Sequence, residues 1–187
     1  MSRKSSYLII SEKDRNSYEL LLNCRHANLQ QLKEYSSQNR INSYLKEKLI
    51  ERVQGQGYDL YRLTDKGYKQ FQKVLQSDNM RYHSQSPKHD EMLSQRYIET
   101  KREFPDMKWQ NEEDLKAIKR DMISECRENR DFERLEKLEM SSVPDAIITT
   151  DVSICYDVVT DNYSNVDIIA KEEFSECLQL ECKFEKI

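Results

Sequence analysis

The segment that follows residue 37 changes its hydrophobic period twice, and this change constrains the fold most. The stretch 38–51, QNRINSYLKEKLIE, carries apolar residues at helical spacing. A glycine-spaced turn at 54–57 comes next, and residues 58–64 then alternate as a half-buried strand does. Thr64 or Asp65 can start a further helix. The sequence therefore predicts a helix, a β-hairpin and another helix in direct succession. The residues of the first of these helices that we expect to face inward are Ile41, Leu45 and Leu49.

Two shorter helices are predicted before this stretch. In the first, residues 12–23, Ser11 and Asp14 have the spacing of a capping box. In the second, residues 29–36, Asn28 is a typical N-cap. Three short helices followed by a hairpin form a winged helix-turn-helix domain, whose third helix enters the major groove of DNA. The run YRLTDKGYKQF also resembles the junction after the second wing strand of many winged-helix regulators.

The charge distribution agrees with a nucleic-acid-binding first half. Residues 1–82 contain 15 Lys and Arg against 9 Asp and Glu, whereas residues 83–187 contain 15 against 25. Chance segregation of surface charge is the alternative interpretation. Gln and Asn suit adenine edges, Arg suits guanine, and Lys mostly meets phosphates. The predicted DNA-binding residues of the third helix and the wing are Gln38, Asn39, Arg40, Ser43, Lys46, Arg52, Gln54, Gln56 and Arg62.

The rest of the chain is organised differently. A winged-helix domain over 1–76 is followed by an aperiodic linker at 77–88, and a second domain is predicted over 89–187. We expect this domain to begin with helices and to continue with strands after Ser141, as an α+β domain. The predicted helices are 89–104, 112–129 and 131–140, and the predicted strands are 146–151, 154–159, 166–170 and 177–184. The fold class is α+β.

One pair of motifs in the predicted strands could carry chemistry. Asp145 stands in a Pro-Asp pair, and Glu181 and Lys183 form an E-x-K motif within the last strand. In PD-(D/E)XK nucleases two such acids on adjacent strands hold Mg²⁺, which activates a water, and the lysine helps to position that water. Strand alternation places Glu181 and Lys183 on one face. The predicted catalytic residues are Asp145, Glu181 and Lys183, the predicted metal ligands are Asp145 and Glu181, and Glu113 is a further candidate ligand. The alternative is a strand-starting proline with a surface charge pair.

Read in order, these motifs resemble the replication-relaxation family of plasmid and mobile-element accessory proteins. The matching residues are the LTDKG run at 63–67, His89, Trp109 with Glu112, and Pro144-Asp145-Ala146. The resemblance implies a winged helix followed by a PD-(D/E)XK nuclease-like domain. It also implies binding near an origin of transfer or replication, beside a relaxase or a replication protein. The cysteine between Glu181 and Lys183 and the early end of the chain depart from the family, so we expect an incomplete or truncated nuclease core.

The leading hypothesis is a sequence-specific double-stranded DNA-binding protein of a mobile element, with a nuclease-like second domain that is inactive. The first alternative is an active Mg²⁺-dependent endonuclease, with Mg²⁺ as its cofactor. The second is a transcriptional regulator whose acidic domain forms a homodimer or binds a protein partner. The N-terminal segment contains only four consecutive apolar residues, from Tyr7 to Ile10, which predicts a cytoplasmic protein without a signal peptide or a membrane contact.

Overall fold

The computed structural model describes residues 8–55, 57–83, 86–161 and 163–186. The chain is mixed α+β with two sheets, as the sequence predicts. It divides into two compact units, each continued by a second segment. The first unit comprises Met1–Asp78 and Ser84–Ile98, and the second comprises Asn79–His83 and Glu99–Ile187.

Helices account for most of both units. They are α1 (Arg15–Cys24), α2 (Leu29–Lys33), α3 (Gln38–Lys46), α4 (Asp65–Leu75), α5 (Pro87–Glu103), α6 (Glu112–Asn129), α7 (Phe132–Met140) and α8 (Asn165–Cys177). A single 3₁₀ turn, Glu12–Asp14, leads into α1. None of these helices is long and apolar enough to span a membrane.

The strands form one sheet in each unit. They are β1 (Ala27–Asn28), β2 (Ile50–Gln54), β3 (Asp59–Leu63), β4 (Lys108–Asn111), β5 (Ala146–Thr149), β6 (Ser153–Val159) and β7 (Cys182–Lys186). The first sheet has the order β1-β3-β2 and is antiparallel. The second has the order β4-β5-β6-β7, in which only β6 and β7 run parallel, because α8 connects them.

The predicted helix starts of the first unit are confirmed. The Ser11 N–H donates to the Asp14 carboxylate at 2.8 Å, as in the predicted capping box. The Asn28 side chain accepts from the N–H of Gln31, and the Thr64 hydroxyl accepts from the N–H of Gly67. The predicted hairpin also forms, because β2 and β3 pair from Ile50–Leu63 to Gln54–Asp59.

The third helix is shorter than predicted, and one of its predicted inward residues is only half-buried. It ends at Lys46 rather than at residue 51, and residues 50–54 join the sheet instead. The buried residues of α3 are Ile41 and Tyr44, whereas Leu45 is only half-buried. Tyr44 takes the inner position because its ring packs edge-on against Phe71, with 5.5 Å between centroids. Of the three residues predicted to face inward, Ile41 and Leu49 are buried as predicted, whereas Tyr44 is buried in place of Leu45.

One glycine is fixed by close packing in the first unit. Gly67, in the first turn of α4, lies against the backbone that follows α3. A Cβ added at this position would stand 1.8 Å from the carbonyl oxygen of Leu49. Since that oxygen also accepts the N–H of Thr64 at 3.0 Å, the approach between α4 and the start of β2 requires a residue without a side chain here.

The segment predicted as a linker is partly packed. Residues 79–83 belong to the second unit, where the Met80 N–H donates to the Asp114 carboxylate at 2.7 Å. The Asn111 amide donates to the Met80 carbonyl at 2.7 Å, and Tyr82 is fully buried. Helix α5 then starts at Pro87, and its residues up to Ile98 belong to the first unit.

The second unit has its apolar core between the sheet and helices α6, α7 and α8. Its largest fully buried members are Leu115, Leu138 and Phe174, one from each of the three helices. Cys155 and Ile147 complete this core from the sheet. The predicted boundaries of α6, 112–129, are confirmed.

Two of the strand predictions in this unit need correction, and one strand was not predicted. Residues 166–170 lie in helix α8, because Ser164 and Asp167 form a capping box that starts a helix there. The last strand begins at Cys182, and residue 177 still belongs to α8. Strand β4 was not predicted, because its four residues form a strand through pairing with the distant β5.

Candidate functional site

The outward face of α3 presents polar side chains. Gln38, Asn39, Asn42 and Lys46 are all exposed, and helical spacing places them along one side of the helix. The Ser37 hydroxyl caps the helix by accepting the N–H of Arg40. The Gln38 amide donates to the Asn42 side-chain oxygen at 3.2 Å. The face therefore offers amide donors and acceptors and one cation to solvent.

Arg40 does not belong to this exposed face. Its Nε donates to Asp14 Oδ1 at 2.7 Å and its Nη2 donates to Asp14 Oδ2 at 2.6 Å. Tyr44 donates to the same carboxylate at 2.5 Å. Because Arg40 lies one helical turn before the buried Tyr44, its side chain points towards Asp14, which is 1% exposed. Arg40 was predicted to read guanine, and the structure gives it a partner within the first unit.

The Asp14 carboxylate is stabilised in its ionised form. Burial alone would raise the pKa of Asp14, but the hydrogen bonds from Arg40, Tyr44 and the Ser11 N–H outweigh burial and lower it below its usual value. One carboxylate and one guanidinium balance in charge. The cluster ties the start of α1 to α3 and holds the orientation of α3 in the first unit.

The remaining predicted DNA-binding residues lie mostly on the hairpin. Arg52 is exposed and pairs with Asp59 at 3.6 Å, and the Arg62 Nε donates to Glu51 at 2.7 Å. Gln54 is exposed near the hairpin turn. Ser43 is half-buried and its hydroxyl donates to the Asn39 carbonyl at 2.9 Å, so it serves its own helix. Gln56 lies outside the described residues.

The acids of the predicted nuclease motif do not meet. Asp145 directly precedes β5, whereas Glu181 directly precedes β7, and β6 lies between these two strands. Strand spacing and the register of β6 with β7 place their Cα atoms on the order of 14 Å apart. Asp145 is fully buried, while Glu181 and Lys183 are exposed. The expected neighbouring strands are thus not neighbours, and no shared cation site forms from Asp145 and Glu181.

A different group surrounds Asp145. The Asp145 N–H donates to Asp157 Oδ1 at 3.1 Å, and the Val158 N–H donates to Asp145 Oδ2 at 2.7 Å. Lys171, on α8, donates its Nζ to Asp157 Oδ1. The same Nζ donates to the Tyr163 hydroxyl at 3.1 Å and lies 5.1 Å from the centre of that ring. We call Asp145, Asp157, Lys171 and Tyr163 the acid–lysine cluster.

The acid–lysine cluster is buried and strongly coupled. Asp145 and Asp157 are 0% exposed and Lys171 is 5% exposed. Burial and the nearby charge of Asp145 raise the pKa of Asp157 to about 7, although Lys171 opposes this shift. Burial would lower the pKa of Lys171, but the two carboxylates outweigh burial and raise it. Two carboxylates thus share one ammonium, and the raised pKa of Asp157 favours its protonated form below about pH 7.

The donor set of this cluster does not suit a divalent cation as it stands. A hard cation such as Mg²⁺ takes about six oxygen ligands. Among the described residues no group of three or more His, Cys, Asp or Glu side chains could hold a metal ion. Asp157 Oδ1 already accepts from two donors, one of which is the Lys171 ammonium. We therefore derive no metal-dependent step from these residues, and Glu113 instead pairs with Lys116 at 2.8 Å.

The histidine of the family-like motifs belongs to a buried network in the first unit. The Asp90 carboxylate lies 2.7 Å from the Nδ1 of His26 and 3.4 Å from the Nδ1 of His89. The Ser94 hydroxyl donates to the His26 carbonyl at 2.6 Å. All of these groups are buried. Since the network joins α5 to the segment before β1, it fixes α5 within the first unit.

Comparison with known proteins gives no match: no protein-family model, no curated protein and no solved structure is significantly similar to this chain.

Four residues of these two regions were missed from the sequence, namely Asn42, Asp157, Lys171 and Tyr163. Asn42 could have been found, because it follows Gln38 by four residues and Asn39 by three. Asp157 is an acid inside the apolar run ICYDVV, which is an unusual position for a charge. Lys171 and Tyr163 were missed because residues 166–170 were assigned to a strand and residues 160–165 to a turn.

Proposed function

We propose that this protein binds double-stranded DNA through its first unit, with α3 in the major groove and the β2–β3 hairpin on the flanking backbone. The proposal rests on one observation. Helix α3 buries Ile41 and Tyr44 while its opposite side exposes amide side chains and a lysine, at Gln38, Asn39, Asn42 and Lys46. A single helix that is anchored on one side and polar on the other is the reading element of helix-turn-helix proteins.

The chemistry of this face suits base edges. Each Asn or Gln amide can donate to and accept from adenine in the major groove, and a good pair of such bonds contributes about 1–3 kcal/mol of discrimination. Lys46 stands at the end of α3, and the exposed Lys48 follows two residues later. These lysines suit phosphates, which fix the position of the protein but carry no sequence information.

The hairpin supplies two arginines for the flanking backbone. Arg52 is 57% exposed and its partner Asp59 is 52% exposed. Ion pairs exposed to this degree contribute only about 0–1 kcal/mol. A DNA phosphate can therefore replace Asp59 as the partner of Arg52 at low cost, and the same holds for Arg62 and Glu51. The paired state of these arginines in the free protein does not conflict with DNA binding.

The biological role within this proposal is assistance to the replication, relaxation or mobilisation of a mobile element. It is supported by the resemblance of the sequence motifs to the replication-relaxation family. A rival role, transcriptional regulation by a homodimer, needs a site with two half-sites. Footprinting on plasmid DNA separates the two: a single protected site near an origin supports the proposal, and a palindrome in a promoter supports the rival.

The direct experiment measures binding of the full chain to labelled duplex DNA by fluorescence anisotropy. The variant Asn39→Ala/Asn42→Ala removes two amides of the reading face and leaves the charge unchanged. Its matched control is Asn129→Ala, an exposed amide at the end of α6 in the second unit. We expect the double variant to bind its specific site at least tenfold more weakly and the control to bind normally. Equal affinity of all three proteins would contradict the proposal.

A further inference from the structure

We propose that Lys171 is the resident cation of the acid–lysine cluster: its ammonium takes the place that a divalent metal would need beside Asp145 and Asp157, so that the second unit folds and keeps its structure without metal. This inference is independent of DNA binding by the first unit. It concerns a cluster that contains Asp145, one of the two residues predicted to bind Mg²⁺.

The Lys171 ammonium lies directly beside the acids of the cluster. Lys171 extends from α8 towards the start of β5 and the middle of β6, where the two acids stand on adjacent strands. Its Nζ contacts Asp157 Oδ1 directly and interacts electrostatically with Asp145. A cation that bridged the two acids through Asp157 Oδ1 would stand beside this ammonium, and two cations repel each other at such a distance.

The three charged groups Asp145, Asp157 and Lys171 are all buried. A buried carboxylate pair without a counter-charge is strongly unfavourable. The side chains of Lys171 and Asp157 are 6% and 0% exposed, so solvent ions cannot supply that charge. Lys171 is also held by Tyr163, which accepts one of its protons and places its ring 5.1 Å away. The ammonium is thus held by two hydrogen bonds and by the Tyr163 ring.

The second carboxylate oxygen of Asp157 takes no part in these hydrogen bonds. Asp157 Oδ2 is buried and meets no N–H or O–H donor among the described residues. If the ammonium is removed, Asp157 keeps this buried acceptor oxygen beside the Asp145 carboxylate, and the counter-charge of Lys171 is lost. A neutral residue of similar length at position 171 should therefore convert the cluster into a divalent-cation site.

The experiment uses the full chain and Mn²⁺ as the probe, with thermal unfolding followed by Trp109 fluorescence. Four proteins are compared: wild type, Lys171→Met, Lys171→Met/Asp145→Asn, and the control Lys183→Met, which removes an exposed strand lysine. We expect the Tm of wild type and of Lys183→Met to be the same in Mn²⁺ and in EDTA. Lys171→Met should melt lower in EDTA and regain several degrees in Mn²⁺, because a ligand that binds only the folded state stabilises it. The double variant should not respond to Mn²⁺.

A second measurement on the wild type decides the case if Lys171→Met does not fold with or without Mn²⁺. Mn²⁺ broadens the NMR signals of nearby amides, and the Val158 N–H lies within hydrogen-bond distance of Asp145. We expect no saturable broadening of Val158 in the wild type. Saturable broadening there, or a wild-type Tm that rises in Mn²⁺ and loses this rise in Asp145→Asn, would overturn the proposal. A folded Lys171→Met variant whose Tm is the same in Mn²⁺ and in EDTA would overturn it as well.

Discussion

Each unit of this protein has buried acidic side chains beside one basic side chain, but the number of acids for that one basic residue differs. In the first unit Asp14 has Arg40 and Tyr44 as donors, and the pKa of Asp14 is lowered. In the second unit two acids share Lys171, and the pKa of Asp157 is raised to about 7. A pair of one acid and one base, such as Asp14 and Arg40, links two elements of the fold and stays charged. Where two buried acids share one cation, the pKa of one acid is raised instead of lowered.

The largest effect is expected from the acid–lysine cluster. Lys171→Met removes the cation from a buried group and should lower the free energy of unfolding of the second unit by about 3–5 kcal/mol, the usual cost of breaking a buried pair. Trp109 is the only tryptophan of the chain and is buried in β4, so its fluorescence during urea unfolding reports on this unit. The exposed Lys183→Met should change the stability by less than about 0.5 kcal/mol. Equal effects of the two variants would show that Lys171 is not a buried counter-charge.

A smaller loss is expected from the pair of Asp14 and Arg40. Asp14→Asn leaves Arg40 partly exposed to water, with 29% of its side chain accessible, so the charge is not stranded. We expect a loss of about 2–3 kcal/mol, the typical contribution of hydrogen bonds to a charged group. Hydrogen exchange of amides in α1 and β3 measures this for the first unit. The control Asp59→Asn removes an acid from an exposed pair and should have an effect below about 1 kcal/mol. A similar loss of stability in both variants would show that the buried Asp14 pair contributes no more than the exposed Asp59 pair.

The two units should also respond to pH in opposite directions. The folded pKa of Asp14 is lowered, so its stabilising effect is present above the ordinary carboxyl value and is lost as the pH falls below about 4. The folded pKa of Asp157 is raised to about 7, so the folded second unit binds an extra proton and becomes less stable as the pH rises from about 4 to 7. Hydrogen exchange for the first unit and Trp109 fluorescence for the second measure both slopes. Slopes of the same sign would contradict the assignment of charges.

Much of the first unit could be predicted because its signals are local. Ser11, Asn28 and Thr64 cap helices through their own side chains, and the glycine-spaced turn with an alternating strand marks the hairpin. The burial of Tyr44 in α3 could not be predicted from such local signals. Tyr44 is buried through its contact with Phe71, which lies 27 positions away, and the ion pair of Arg40 with Asp14 is likewise non-local.

The second unit shows where sequence reasoning fails. The run 166–170 is rich in β-branched residues and was assigned to a strand, although the Ser164–Asp167 capping box marks a helix start. That one error removed α8, and with it Lys171, from the candidate site. The E-x-K motif was then assigned as the partner of Asp145, with Glu113 as a further candidate ligand. The register of β5 with β6 selects Asp157 instead, and strand pairing of this kind is not encoded by local spacing.

The smallest expected effect concerns the DNA-binding surface. Lys46→Ala should weaken binding to any duplex sequence to a similar extent and reduce the slope of log affinity against log salt by about one, since one phosphate contact is lost. Lys137→Ala, an exposed lysine on α7 in the second unit, removes the same charge. We expect its salt slope to equal that of the wild type. Equal slopes for all three proteins would show that Lys46 does not contact phosphate.

The most direct test of DNA binding by the first unit is an NMR titration of the full chain with duplex DNA at low salt, where binding without sequence preference is strong enough to observe. The account predicts that amide signals of α3 and of the β2–β3 hairpin shift with added DNA. Signals of β5, β6 and α8 around the acid–lysine cluster should stay in place. Shifts confined to the second unit, or no shifts at all, would contradict the account.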